Sequence, residues 1–89
     1  MKEVFVKKYW EEEDVLFYLH FQDNKAVRQL EITPTSKLKL TLNSPINGES
    51  ILYDQTLDEL DLQESDFITE EDFNKIWNEY IQYLIILNY

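Results

Sequence analysis

The stretch "YDQTLDELDLQESDFITEED" (53–72) carries nine carboxylates, Asp54, Asp58, Glu59, Asp61, Glu64, Asp66, Glu70, Glu71 and Asp72, and no lysine, arginine or histidine. Carboxylates at this density can hold a hard cation, act as a paired acid and base, start a helix, or meet a positively charged partner. Spacing separates these uses. A calcium loop of the EF-hand type needs alternating ligands, a glycine at its sixth position and a glutamate at its twelfth. In "DELDLQESDFIT" Asp58 and Asp61 fall out of that alternation and no glycine is present, which leaves only an irregular calcium site as an alternative. Paired acids for glycoside hydrolysis need a sugar-sized cleft, which a chain of 89 residues seldom forms.

The other residues with chemical potential are few. His20 is the single histidine, and it lies inside "VLFYLHF" with no nucleophile motif beside it. It reads as a satisfied core or sheet-edge residue rather than a base. One glycine, Gly48, cannot build a phosphate loop, and neither a nucleophile elbow nor a pair of metal-binding histidines is present. Without cysteine there is no disulfide and no thiolate site. Arg28 follows Val27 in a strand that otherwise faces the core, and is expected to pair on the solvent face with Glu31 or a carboxylate of the acidic stretch. The expectation is a protein without catalysis and without a cofactor.

The net charge is −10, and its placement is informative. Residues 1–48 hold seven cations and seven anions, and residues 73–89 hold Lys75 against Glu79, so the whole excess lies between Glu49 and Asp72. Direct nucleic-acid binding is not expected, because phosphate contacts need a basic surface. Two unit charges about 7 Å apart in water repel by roughly 0.6 kcal/mol, and salt lowers that further. A spread-out run thus costs only on the order of 1–2 kcal/mol, and a solvated loop that serves solubility is one reading. Dispersed charge would serve solubility equally well. Concentration between Asp54 and Asp66, interleaved with Leu57, Leu60, Leu62 and Phe67, favours a docking patch in which the apolar residues anchor and the acids face out. The candidate partner-binding residues are Tyr53, Asp54, Asp58, Glu59, Asp61, Glu64 and Asp66, with Tyr53 and Tyr89 as aromatic anchors. The expected partner is a basic protein.

These residues must be carried by a small scaffold. Residues 3–10 ("EVFVKKYW") suit a strand, with Val4 and Val6 on one face and Phe5 and Tyr9 on the other; residues 11–14 make an acidic turn. Residues 15–21 are apolar on both faces apart from His20, as in a central strand covered on at least one side. "QDNK" (22–25) signals a hairpin, since Asp and Asn tolerate positive φ. Residues 26–33 form the next strand, and 33–36 turn the chain. "KLKLTL" (37–42) then alternates, with Leu38, Leu40 and Leu42 inward and Lys37, Lys39 and Thr41 outward. A loop with Pro45 and Gly48 leads to a short extended piece, "SILYD". Thr69 reads as a helix N-cap with Asp72 at the third helical position and Ile68 and Phe73 as a hydrophobic staple. Phe73, Ile76, Trp77, Tyr80, Ile81 and Leu84 repeat at helical spacing. Glu70, Glu71 and Asp72 fall in the first turn, where the helix dipole favours anions. The fold class is α+β, one domain over 1–89: an antiparallel meander of about four strands with a C-terminal helix packed on one face.

Ile85, Ile86 and Leu87 widen the apolar surface of the helix. They either tuck against the sheet and the long loop or form a homodimer contact, and a structural or regulatory protein that homodimerises there is the alternative to docking. The N-terminus lacks the apolar stretch of a signal peptide, and the apolar runs are too short to span a bilayer, so a cytoplasmic protein without membrane contact is expected.

Two stretches, "WEEEDVLFYLHFQDNKAVRQLEI" (10–32) and "ESDFITEEDFNKIWNEY" (64–80), resemble a group of small acidic bacterial proteins of uncharacterised function. In that group a charged strand pair ends in a V-R-x-[LIV]-E-[LIV] strand, here Val27, Arg28, Leu30, Glu31 and Ile32. A C-terminal I-[ST]-x-x-[ED]-F-x-x-[IVL]-W helix follows, here Ile68, Thr69, Asp72, Phe73, Ile76 and Trp77. Proteins of this kind look like immunity proteins of bacterial toxin systems, which bind and block a cognate toxin inside the producing cell. The resemblance implies a toxin as the basic partner and brings no catalytic residues.

Overall fold

Strand-period alternation closes into a meander of β1 (Glu3–Trp10), β2 (Val15–Gln22), β3 (Lys25–Thr33) and β4 (Ser36–Thr41), each antiparallel to the next. The structure is a computed structural model that describes the backbone of residues 1–87 and the side chains of residues 1–79. Local chemistry sets the turns. Asp23 and Asn24 both take positive φ (48° and 71°), as a two-residue hairpin turn requires. Asp14 does the same at the end of the β1–β2 turn (φ 52°), where its carboxylate accepts the Tyr9 hydroxyl at 2.5 Å.

The chain then leaves the sheet. A two-residue pair, β5 (Ile46–Asn47) and β6 (Ser50–Ile51), makes a small hairpin, and Gly48 supplies the positive φ at its tip (62°). Residues 52–66 follow with no regular structure beyond 3₁₀ turns at Leu57–Glu59 and Glu64–Asp66. A short strand, β7 (Phe67–Ile68), pairs with β1 and extends the sheet to five strands in the order β4-β3-β2-β1-β7. The final element is α1 (Glu70–Leu87).

Both faces of the sheet are covered, which accounts for the doubly apolar β2. On one face lie Val6, Leu19, Phe21, Ala26 and Leu40, closed over by Leu52, Tyr53, Leu57, Leu60 and Leu62 of the long segment. On the other, α1 lays Phe73, fully buried, 5.4 Å from the Phe5 ring and 5.8 Å from His20. The helix begins as expected: the Thr69 hydroxyl accepts the Asp72 N–H at 3.0 Å, and Glu70, Glu71 and Asp72 occupy the exposed first turn. Three carboxylates of the acidic run are thereby helix-start chemistry.

Two anchors expected from alternation are elsewhere. Leu42 is 52% exposed, because β4 ends at Thr41. Phe67 is 48% exposed, because pairing with Val6 places it at the margin of the covered face. The side chains of Tyr80, Ile81, Leu84, Ile85, Ile86 and Leu87, and the whole of Tyr89, with the homodimer contact expected of the tail, lie outside what the structure describes.

One irregularity positions the site. Between His20 and Phe21 the β2–β3 register slips: His20 faces Arg28 while Phe21 faces Ala26, so Val27 is an extra, bulged residue. The bulge turns Arg28 toward the helix and Gln29 and Glu31 toward the long segment.

Candidate functional site

Gln29 is the first device that holds the acidic segment. It is 3% exposed and stands between Leu19 and Leu40 of the neighbouring strands. Its side-chain oxygen accepts the Tyr53 N–H at 2.8 Å, and its amide nitrogen donates to the Ile51 carbonyl (3.2 Å) and to Glu31 Oε2 (2.8 Å). Asn24, in the β2–β3 turn, accepts the Leu57 N–H at 2.9 Å. Lys8, on β1, donates to the Asp61 carbonyl at 2.7 Å and pairs with Asp66 Oδ2 at 3.5 Å. Side chains from three places in the meander thus replace the ladder that this backbone lacks. Among the described residues no buried side-chain polar atom is left without a partner.

Clamped in this way, the segment faces its leucines inward and its acids outward. Asp54, Asp58, Glu59, Asp61 and Glu64 are exposed. Tyr53 is half-buried, its ring edge-on to Phe21 (5.9 Å, 81°) and its hydroxyl donating to the Thr56 carbonyl at 3.0 Å. Its phenol is pushed above the usual range, first by burial and then by the negative charges of Glu59, Asp58 and Asp54. Those three acids therefore share one neighbourhood with Tyr53. The Asp58 carboxyl is held below its usual value by hydrogen bonds, that from Thr56 foremost. Asp66 is different. It is half-buried, and Oδ2 accepts the Gln63 N–H at 2.9 Å as well as meeting Lys8, so much of its charge serves the segment itself.

Sequence reasoning missed a groove beside these residues. It encloses about 530 Å³ where the β1–β2 end of the sheet meets the β5–β6 hairpin. Val15, Phe17, Leu19 and Leu60 give it apolar walls, Trp10 and Ile51 flank it, and Glu13, Glu31, Glu49 and Asp54 also line it. The available signal was the polar pair Gln29 and Glu31 at alternate positions of an apolar strand. The bulge at Val27 hid which face they occupy.

Under the helix lies a second polar cluster. Arg28 Nε donates to His20 Nδ1 at 2.9 Å, which leaves the ring proton on Nε2, 3.1 Å from Glu3 Oε1. Burial holds the imidazole below its usual pKa; the Glu3 hydrogen bond opposes this, and the Arg28 charge adds to it. The guanidinium also donates to Asn74 Oδ1 at 3.0 Å and lies 4.6 Å from the Phe73 ring and 5.1 Å from Trp77. The expected pairing of Arg28 with Glu31 on the solvent face is thus replaced by contacts beneath the helix. Residues 28 and 31 are an odd number apart and point to opposite faces. Both nitrogens of His20 are occupied, and its ring is stacked on Phe5 at 4.3 Å. The cluster ties the helix to the sheet.

Among the described residues no group of three His, Asp or Glu side chains converges to hold a metal ion, and no helix is long and apolar enough to cross a membrane. Compared with known proteins, the chain matches no family model, no curated protein and no solved structure.

Proposed function

We propose that this protein is a non-enzymatic binding protein that docks on a basic partner through the outward acids of residues 53–66. The carrying observation is the two-sided segment: Leu52, Leu57, Leu60 and Leu62 pack on the core while Asp54, Asp58, Glu59, Asp61 and Glu64 stand in solvent. Such a surface raises the encounter rate with a cationic counterpart and penalises anionic ones. The resemblance to immunity proteins supports a bacterial toxin as the partner, met in the cytoplasm of the producing cell. A nuclease is basic where it grips phosphates, so the segment would block it by occupying that groove.

The test is association with the product of the gene immediately upstream, measured across a salt series. The parent binds with steep salt dependence. Replacement of the five exposed acids by Asn and Gln slows association at least about 10-fold and flattens the salt slope. Unchanged affinity and an unchanged salt slope in that variant refute the docking surface.

A further inference from the structure

We infer that the groove beside the β5–β6 hairpin takes up an arginine side chain of the basic partner, an inference that rests on the proposed docking function and names its anchor. Glu31 is the central feature. It is half-buried in the groove lining, and each carboxylate oxygen already accepts one neutral donor, the Ser50 hydroxyl at 3.0 Å and the Gln29 amide at 2.8 Å. These bonds fix the carboxylate and leave a second acceptor position on each oxygen. Among the described residues Glu31 has no ion pair. The one cation in the lining, Lys8, already spends its ammonium on the Asp61 carbonyl and Asp66. Glu13, Glu49 and Asp54 add charge of the same sign.

An apolar side chain alone would dehydrate these carboxylates without pairing them, which disfavours it. A long apolar stem ending in a cation satisfies both the walls and the acids. The rings choose arginine over lysine. Trp10, 49% exposed, and Phe17 stand 6.3 Å apart at 37°, offering flat faces to a planar guanidinium whose paired N–H groups match a carboxylate. The chain uses the same chemistry internally, where Arg28 lies against the rings of Phe73 and Trp77.

The probes are N-acetyl-argininamide, its uncharged citrulline counterpart, N-acetyl-lysinamide and a ten-residue oligolysine, each titrated into the ¹⁵N-labelled full chain. The arginine compound is expected to shift the Trp10 indole N–H and the amides of Phe17, Glu31, Ile51 and Tyr53 with a Kd of about 10 mM or tighter. The citrulline compound binds at least about 10-fold more weakly. E31Q weakens arginine by about 10-fold, and W10A, a change at a half-exposed side chain that leaves the fold intact, by about threefold to tenfold. Equal binding of arginine and citrulline, equal binding of arginine and lysine, or arginine shifts confined to residues 58–64 each overturn the inference. Oligolysine tests the docking reading separately. Salt-sensitive binding of oligolysine with no arginine response in the groove sinks the groove alone, whereas silence from every cationic probe sinks both.

Discussion

Replacing Gln29 with leucine keeps the volume of a buried side chain and removes three hydrogen bonds, two that anchor residues 51–53 and one to Glu31. The Tyr53 N–H and the Ile51 carbonyl lose their partners. A buried group left unsatisfied costs about 1–3 kcal/mol. Tyr53 is only half-buried and Ile51 is exposed, so both losses belong at the low end, and water can re-solvate the carbonyl. The leucine returns part of the deficit by burying apolar surface at a site only 3% exposed. The balance is a loss of about 2 kcal/mol from a total that, for 89 residues, stands at roughly 4–13 kcal/mol. In a domain of this size that lowers Tm by about 8–16 °C. Thermal and urea unfolding measure the global change, and amide exchange at Tyr53 reports the local one. The Tyr53 amide is protected in the parent and exchanges far faster in the variant. A Tm within about 2 °C of the parent, with Tyr53 still protected, would refute the claim that a side-chain clamp holds the segment.

Thr69→Ala removes the hydroxyl that accepts the Asp72 N–H and is expected to cost about 1 kcal/mol in urea unfolding, while Thr69→Asn leaves stability nearly unchanged. His20, whose pKa is lowered in the fold chiefly by burial, resists the proton that the unfolded chain accepts near pH 6.5, about the ordinary histidine value. Its contribution to stability is therefore complete above about pH 6.5 and declines as the pH falls below it; an NMR titration giving the ring a pKa above 6.5 contradicts the Arg28–His20 geometry. The carboxyls of Glu3 and Asp58, both depressed by hydrogen bonds, act in a lower window, stabilising above their ordinary values and losing that effect as the pH drops through the depressed ones.

The meander and the helix start were legible because their determinants are local. Alternation over "KLKLTL", positive φ at Asp23 and Asn24, and a threonine three residues before an amide are all read within a few positions. The five outward acids were legible for a related reason: carboxylates without cations stay in water unless something buries them. What stayed hidden was settled across strands. The extra residue at Val27 changes which face the rest of β3 presents, and only pairing with β2 reveals it; the face taken by Gln29 and Glu31 was unreadable without it, although parity alone sets Arg28 on the opposite one. The two-residue pairing of β7 is too brief to leave a pattern, and with it went the position of Phe67. The groove joins Trp10, Glu31 and Ile51, which are distant in sequence and meet only because Gln29 draws the hairpin down onto the sheet.

Because Gln29, Asn24 and Lys8 grip the segment chiefly by its main chain, with Asp58 and Asp66 as the acidic side chains they also meet, the identities of Asp54, Glu59, Asp61 and Glu64 carry little scaffold duty. Exposed positions of that kind tolerate exchange within about 0.5 kcal/mol. The recognition face can therefore be rewritten wholesale over a constant frame, so a set of such chains could diverge in what they bind while keeping one shape and one folding stability.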